Sequence, residues 1–264
     1  LEAAAAGELI VSDVSKSLIH VFHLRERAKK ETGAAPGVTG RPVADVVVLG
    51  AGVMGGGIAQ LLAYKGVRVR MKDVRHEAIA GGLQHARKLF DDLVAKRKLP
   101  RREAAQRMEL ISGGIEYHGL ADVDLVIEAV VERMDVKRTV LREAEERVRP
   151  ECILATNTSS LSVDAMAEAL QRPERFCGMH FFNPVHKMPL VEIVRGARTD
   201  KETLATVHAL AVRLGKVPVI VGDGPGFVVN RILGPYLNEA AWLLAEGASI
   251  EEIDRVARAF GMPM

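Results

Sequence analysis

Apolar positions along this chain fall into two alternating periods. Residues 46–49 are apolar at every position, as in a short apolar strand, and from Ile58 the apolar and small positions Ala59, Leu61, Leu62 and Ala63 continue as a helix. Between them lie Gly50, Gly52 and Gly55. A second strand is predicted at 67–71, ending at Asp73. The pattern then predicts a long amphipathic helix over 77–98, strands at 110–115 and 125–130, a charged helix over 135–148 closed by Pro150, and a strand at 152–156. Two strand-like runs flank a proline-containing loop within 175–195, and a helix over 201–214 and a strand at 217–221 follow. Strands separated by helices require crossover connections, so the prediction is α/β: a doubly wound, mostly parallel sheet.

The two ends differ from this middle. Val14, Leu18, Val21, Phe22 and Leu24 recur at near-helical spacing, with Arg25, Arg27, Lys29 and Lys30 at the end where a helix favours cations. Residues 32–42 are rich in glycine and proline and read as a connector. After Gly222 the spacing is helical only: Phe227, Ile232, Leu233, Leu237, Ala241 and Leu244 form one stripe, and a second helix is predicted to start at Ser249 as N-cap and run through Ile253, Val256 and Phe260. Three parts are expected: a linker helix and connector over 1–44, an α/β domain over 45–222, and the start of an all-α region over 223–264.

Composition narrows the class. A chain of 264 residues can bury a sizeable core, and a net charge of +2 provides no global field for nucleic acid or membrane. No apolar run approaches the roughly 18 residues needed to span a bilayer, so a soluble protein is expected. Cys152 and Cys177 are the only cysteines, both at apolar strand starts. Buried free thiols in a reducing compartment are expected, a disulfide being the alternative. The chain opens on Leu1 and stops shortly after Gly261 and Pro263, which reads as a piece of something longer.

The chemistry concentrates at strand ends. In GAGVMGGG, Gly50 suits the tight turn, Gly52 lets backbone N–H groups approach a pyrophosphate, and Gly55 lets helix and strand pack closely. A carboxylate at Asp73 suits a ribose 2′-hydroxyl and repels an additional phosphate, favouring NAD over NADP; Arg75 is the dissenting neighbour. A glycine turn in an α/β domain that binds another nucleotide, or none, is the alternative. Glu132 and residues 157–160 follow strands whose carboxyl ends are where ligands bind. A hairpin in RFCGMHFFNPVHKMPLVEIVR brings His180 beside Glu192, and a carboxylate that fixes an imidazole makes a general base; a satisfied core histidine is the equal alternative. His186, in the loop, is expected to face solvent. Lys96, Arg97, Lys98, Arg101 and Arg102 read either as a solvated helix end or as partners for the phosphates of a carrier such as coenzyme A.

Taken in order, GAGVMGGGIAQ, NTSSL at 157–161, HFFNP at 180–184 with LVE at 190–192, and GFVVNR at 226–231 resemble the L-3-hydroxyacyl-CoA dehydrogenases, over residues 45–264. The resemblance implies a Rossmann-type NAD domain followed by a helical region that makes much of a dimer contact. It implies His180 as the base, Glu192 as its partner, and Ser159 and Asn230 lining the reacting hydroxyl. Gly50, Gly52, Val53, Met54, Gly55, Asp73, Glu132, Lys137, Ser159 and Asn183 would meet the cofactor, with Asn183 beside the nicotinamide. Structural alternatives are a helix cap for Ser159, turn formers for Asn183 and Asn230, and a surface ion pair for Glu132 with Lys137. LIHVFHLRERAKK is similar to the helix that joins an enoyl-CoA hydratase domain to the dehydrogenase in multifunctional fatty-acid oxidation proteins, which work with a thiolase subunit. The implied activity is NAD-dependent oxidation of an L-3-hydroxyacyl-CoA, in a bacterial cytoplasm or a mitochondrion. The rivals are a dehydrogenase of another small hydroxyacid and an NAD-binding module without turnover.

Overall fold

The computed structural model describes residues 2–34 and 37–262. Residues 35 and 36 of the connector, together with Pro263 and Met264, lie outside the described residues. The chain begins with α1 (Glu2–Val11) and α2 (Asp13–Ala28). The α/β part then runs β1 (Asp45–Leu49), α3 (Val53–Tyr64), β2 (Arg68–Lys72), α4 (His76–Ala95), α5 (Arg101–Met108), β3 (Ile111–Gly114), β4 (Leu125–Glu128), α6 (Met134–Glu145) and β5 (Ile153–Thr156). It continues through α7 (Val163–Ala167), β6 (Phe176–Phe181), β7 (Leu190–Arg195), α8 (Lys201–Arg213) and β8 (Val217–Gly222), and α9 (Val229–Ala245) and α10 (Ile250–Phe260) follow.

All eight strands form one sheet, in the order β3-β2-β1-β4-β5-β6-β7-β8. Every neighbouring pair is parallel except β6 with β7. β1 lies between β2 and β4, which makes its carboxyl end the place where the chain order reverses and a crevice opens. Val46, Val47, Val48 and Leu49 are 0–1 % exposed because helices cover both faces, and full burial of each such side chain contributes about 1.5–3 kcal/mol. Two cores result, one beneath α3, α4 and α8 around Ile58, Leu62 and Met71, the other beneath α6 and α7 around Leu120, Leu141 and Phe176. Cys152 and Cys177 are free and buried, and burial pushes both thiols up to about 12, so neither is a nucleophile.

The terminal parts differ from expectation in detail. The region before the sheet holds two helices rather than one, and its connector is tied down: the Arg41 amide donates to Thr206 Oγ1, Arg213 donates to the Val43 carbonyl, and a ring nitrogen of His208 lies 2.8 Å from the Ala28 carbonyl. The cations after residue 95 do not end a single helix, because Arg101 and Arg102 open α5. Ser249 caps α10 through a reciprocal box with Glu252. α2, α9 and α10 bury none of their described side chains, leaving Leu18, Phe22, Trp242 and Phe260 exposed. No helix among the described residues is long and apolar enough to cross a membrane.

Candidate active site

The glycine turn after β1 has the geometry that its sequence requires. Gly50 sits at φ +99°, and a Cβ there would lie 2.5 Å from the Ala129 carbonyl oxygen; a Cβ on Gly55 would lie 1.9 Å from the Gly50 carbonyl oxygen. Gly52 has open space where its Cβ would be, and as the N-cap of α3 it offers no side chain. Val53 is exposed and Met54 half-buried, so the first turn of α3 presents bare N–H groups and a partial positive charge outward. These features fit a pyrophosphate.

Beside this turn a cleft of ≈ 400 Å³ is lined by Gly50, Gly52, Asp73, Val74, Ala129 and Val130. Asp73 follows β2 directly, and its Oδ2 accepts the Ala51 N–H at 2.9 Å while Oδ1 accepts the Val74 N–H at 2.7 Å. Its carboxylate is thereby held at the rim of an apolar slot, an arrangement suited to a ribose and a flat base. Arg75 lines the same cleft.

On the far side of β1, a carboxylate network organises the loops after β4 and β5. Glu128, the last residue of β4, is 0 % exposed. Lys137 Nζ donates to its Oε1 at 2.7 Å and its Oε2 at 3.0 Å, Thr156 Oγ1 donates to Oε2 at 2.6 Å, and the Val130 N–H donates to Oε1 at 2.7 Å. Lys137 also reaches Glu132 Oε2 at 3.2 Å. Glu132 in turn accepts from Thr158 Oγ1, the Ser159 N–H and Ser159 Oγ at 2.5, 2.9 and 3.2 Å. Burial pushes the Glu132 carboxyl up, but the Thr158 and Ser159 donors and Lys137 outweigh it and hold it below the usual glutamate range. The surface ion pair is therefore excluded, because the Lys137 side chain is 1 % exposed and its ammonium is shared between an internal carboxylate and one at the rim. Glu128 and Thr156 escape the sequence motifs; a lone acid closing an otherwise apolar strand, LVIE, is the available signal.

β6 and β7 form the antiparallel hairpin, with His180 directly opposite Glu192. His180 Nδ1 lies 2.9 Å from Glu192 Oε2, and His180 is 5 % exposed. With Nδ1 committed to the carboxylate, Nε2 is the ring nitrogen left for a substrate. Glu192 Oε1 accepts the N–H groups of Val228 and Val229 at 3.0 and 2.9 Å, so the same carboxylate caps α9, whose own N-cap Val228 has no polar side chain. Burial raises the Glu192 carboxyl, and the His180 bond and these two backbone donors more than offset that, holding it ionised below its ordinary range. Phe182 and Phe227 wall the imidazole, with ring centroids 4.4 and 5.8 Å away; Phe227 takes φ 51° directly after Gly226 at φ 72° to get there.

The remaining residues gather at this end of the sheet. Asn230, in the first turn of α9, donates from Nδ2 to the Ser159 carbonyl at 3.1 Å, joining the loop after β5 to the helical part. Asn157 Oδ1 accepts the Phe181 N–H at 2.9 Å and fixes the end of β6. Asn183 follows Phe182 and is exposed, as is His186. Past this loop a groove of ≈ 290 Å³ is lined by Lys65, Lys96, Lys187, His186 and Lys216, with Asp92 the single carboxylate; of the basic cluster after α4, Lys96 reaches it.

Residues 45–224 match the family model described as 3-hydroxyacyl-CoA dehydrogenase, NAD binding domain, and residues 226–264 match the C-terminal domain of the same family. The chain is 44% identical over its whole length to a Psychrobacter arcticus protein named fatty acid oxidation complex subunit alpha, and spans 37% of that relative's length. It is similar to the solved (S)-3-hydroxybutyryl-CoA dehydrogenase of Ralstonia eutropha, at 42% identity and a TM-score of 0.81, covering 84% of this chain and 79% of the other. It is also similar to the dehydrogenase part of a multifunctional enzyme from C. elegans, at 26% identity and a TM-score of 0.67, covering 91% of this chain and 58% of the other.

Proposed function

This chain belongs to the 3-hydroxyacyl-CoA dehydrogenase family, and on that basis we propose that it oxidises an L-3-hydroxyacyl-CoA to the 3-oxoacyl-CoA. The observation that carries the reading is the His180–Glu192 pair, set in the same sheet as a glycine turn and cleft that fit a dinucleotide. NAD, when bound, accepts the hydride leaving C3 of the substrate. His180 Nε2 takes the proton of the C3 hydroxyl, so the alcohol loses one hydride and one proton and becomes the ketone. Glu192, ionised and aligned on Nδ1, stabilises the imidazolium as it forms. Ser159 and Asn230 would orient the hydroxyl, and Asn183 would sit beside the nicotinamide and substrate. Glu132 would meet the cofactor from the loop after β4, and Lys137 of α6, buried behind it, would act through Glu132 rather than by touching the cofactor. Gly50, Gly52, Val53, Met54 and Gly55 would hold the pyrophosphate, and Asp73 the adenosine ribose. The cationic groove beside Lys65, Lys96 and Lys187 supports a phosphate-bearing thioester rather than a free acid.

The relatives' complexes support a wider setting. The exposed apolar side chains of α2 suit an enoyl-CoA hydratase domain, and those of α9 and α10 suit a dimer contact. A thiolase subunit would complete the assembly, in a bacterial cytoplasm. The division near Gly222 belongs to the same reading. Sedimentation should give a species heavier than one chain, and a monomer at micromolar concentration would contradict the dimer.

The substrate class is tested by following NAD reduction with 3-hydroxybutyryl-CoA against free 3-hydroxybutyrate, and repeating the thioester arm with NADP. Turnover of the thioester with NAD is expected. Equal rates with the free acid would favour the hydroxyacid rival, and NADH binding without any turnover would favour a binding module.

A further inference from the structure

Lys216, between α8 and β8, is 5 % exposed, and its Nζ donates to the Val185 carbonyl at 2.5 Å and the Met188 carbonyl at 2.6 Å. Among the described residues it has no carboxylate within ion-pair distance, and its protein partners are two carbonyl dipoles. An apolar side chain of similar length would sit there at lower cost if packing were the whole purpose. What the charge holds is the segment from Phe182 to Pro189. At its inner end that segment carries Phe182 on the His180 ring, and Asn183. In its middle, Val185 Cγ2 lies 3.2 Å from where a Cβ on Gly57 would stand, so the loop is pressed against α3, the helix that begins at the glycine turn. We propose that Lys216 is a positioning residue for the reaction: its two carbonyl bonds clamp the 182–189 loop onto α3 and so keep Asn183 and Phe182 in register with His180.

A clamp made by an ammonium weakens when that group loses its charge, because a neutral amine keeps two N–H donors but makes bonds of about half the strength. Burial pushes Lys216 down to about 8. The groups that share its groove are Tyr64 and Lys65 from α3, Asp92 and Lys96 from α4, and His186 and Lys187 from the loop itself. Burial and the neighbouring cations Lys187 and Lys96 hold His186 below its ordinary value, so it stays neutral above pH 7. Lys216 is therefore the group whose charge is lost as pH rises through about 8. Because folding lowers its pKa, the folded state gains stability between that pH and the ordinary lysine value of about 10.4. Loosening of the loop would thus accompany a rise in the contribution of Lys216 to stability, the opposite of what unfolding of this region would give.

The test compares wild type, Lys216→Met and Lys216→Arg by amide hydrogen exchange of the 182–189 segment, NADH affinity and turnover. Lys216→Met should lose protection in that segment, keep its NADH affinity and thermal midpoint, and lower kcat about 10- to 100-fold, the range a loosely held catalytic group costs. Lys216→Arg, which retains donors, should recover much of both. In wild type, protection corrected for intrinsic exchange should fall as pH passes 8, with no such step in Lys216→Met. The exchange arm stands independently of the proposed reaction, whereas the kinetic arm rests on it, so a loop released without change in kcat would overturn the positioning role and leave the fold reading intact. Unchanged protection in Lys216→Met, or a wild-type loop indifferent to pH should that variant fail to fold, would overturn the clamp.

Discussion

His180→Gln is expected to lose nearly all turnover while NADH binding persists. The imidazole is placed as a general base: Nδ1 is 2.9 Å from Glu192, and among the described residues Nε2 has no partner. A positioned base contributes about 100- to 10,000-fold, and glutamine keeps the volume and a hydrogen bond to Glu192 without a basic nitrogen. The glycine turn and Asp73 lie on loops after β1 and β2, apart from the β6–β7 pair that carries His180, so cofactor affinity, read by NADH fluorescence, should not move. Normal turnover in this variant would remove the histidine from the mechanism.

The second large effect is on stability. Lys137→Met leaves the Glu128 carboxylate, 0 % exposed, with only Thr156 Oγ1 and the Val130 N–H as donors. Removing one partner from a buried ion pair typically costs about 3–5 kcal/mol, because the remaining charge is stranded. Replacing both, as Lys137→Met with Glu128→Leu, should recover most of that loss. Urea unfolding reads it as a fall in midpoint with the slope unchanged. A single variant within about 0.5 kcal/mol of wild type, the usual range for surface substitutions, would mean the pair is not the hub of the two loops. NADH affinity should weaken with stability, since Glu132 and the 157–162 loop hang on the same lysine.

Parts of this site were legible because their signals are local. The strand, glycine turn and helix declare themselves by adjacency, and antiparallel pairing of the two apolar runs on either side of the 182–189 loop sets His180 against Glu192. Other parts depend on the tertiary structure. α5 reads as RREAAQRM and buries Ala104 alone, so it has no apolar stripe for a periodicity to find. α1, with EAAAAGELIV, is helical by alanine propensity without a polar face to mark it. The partnership of Glu128 with Lys137 joins the end of a strand to the first turn of a helix, and Lys216 reaches carbonyls about thirty residues away; neither pairing leaves a spacing that a sequence alone exposes. Glu192 shows the same limit, because its cap on α9 follows from where residues 226–229 turn, not from the hairpin that placed it.

The central claim, that His180 and Glu192 act as one unit, is tested most directly by a double-mutant cycle on kcat with His180→Gln, Glu192→Gln and the pair together. Residues that act as a unit give losses far from additive, so the double variant should be no slower than His180→Gln alone. Losses that multiply, with the double variant slower than His180→Gln by the full Glu192→Gln factor, would contradict a shared role and leave Glu192 with only its cap on α9.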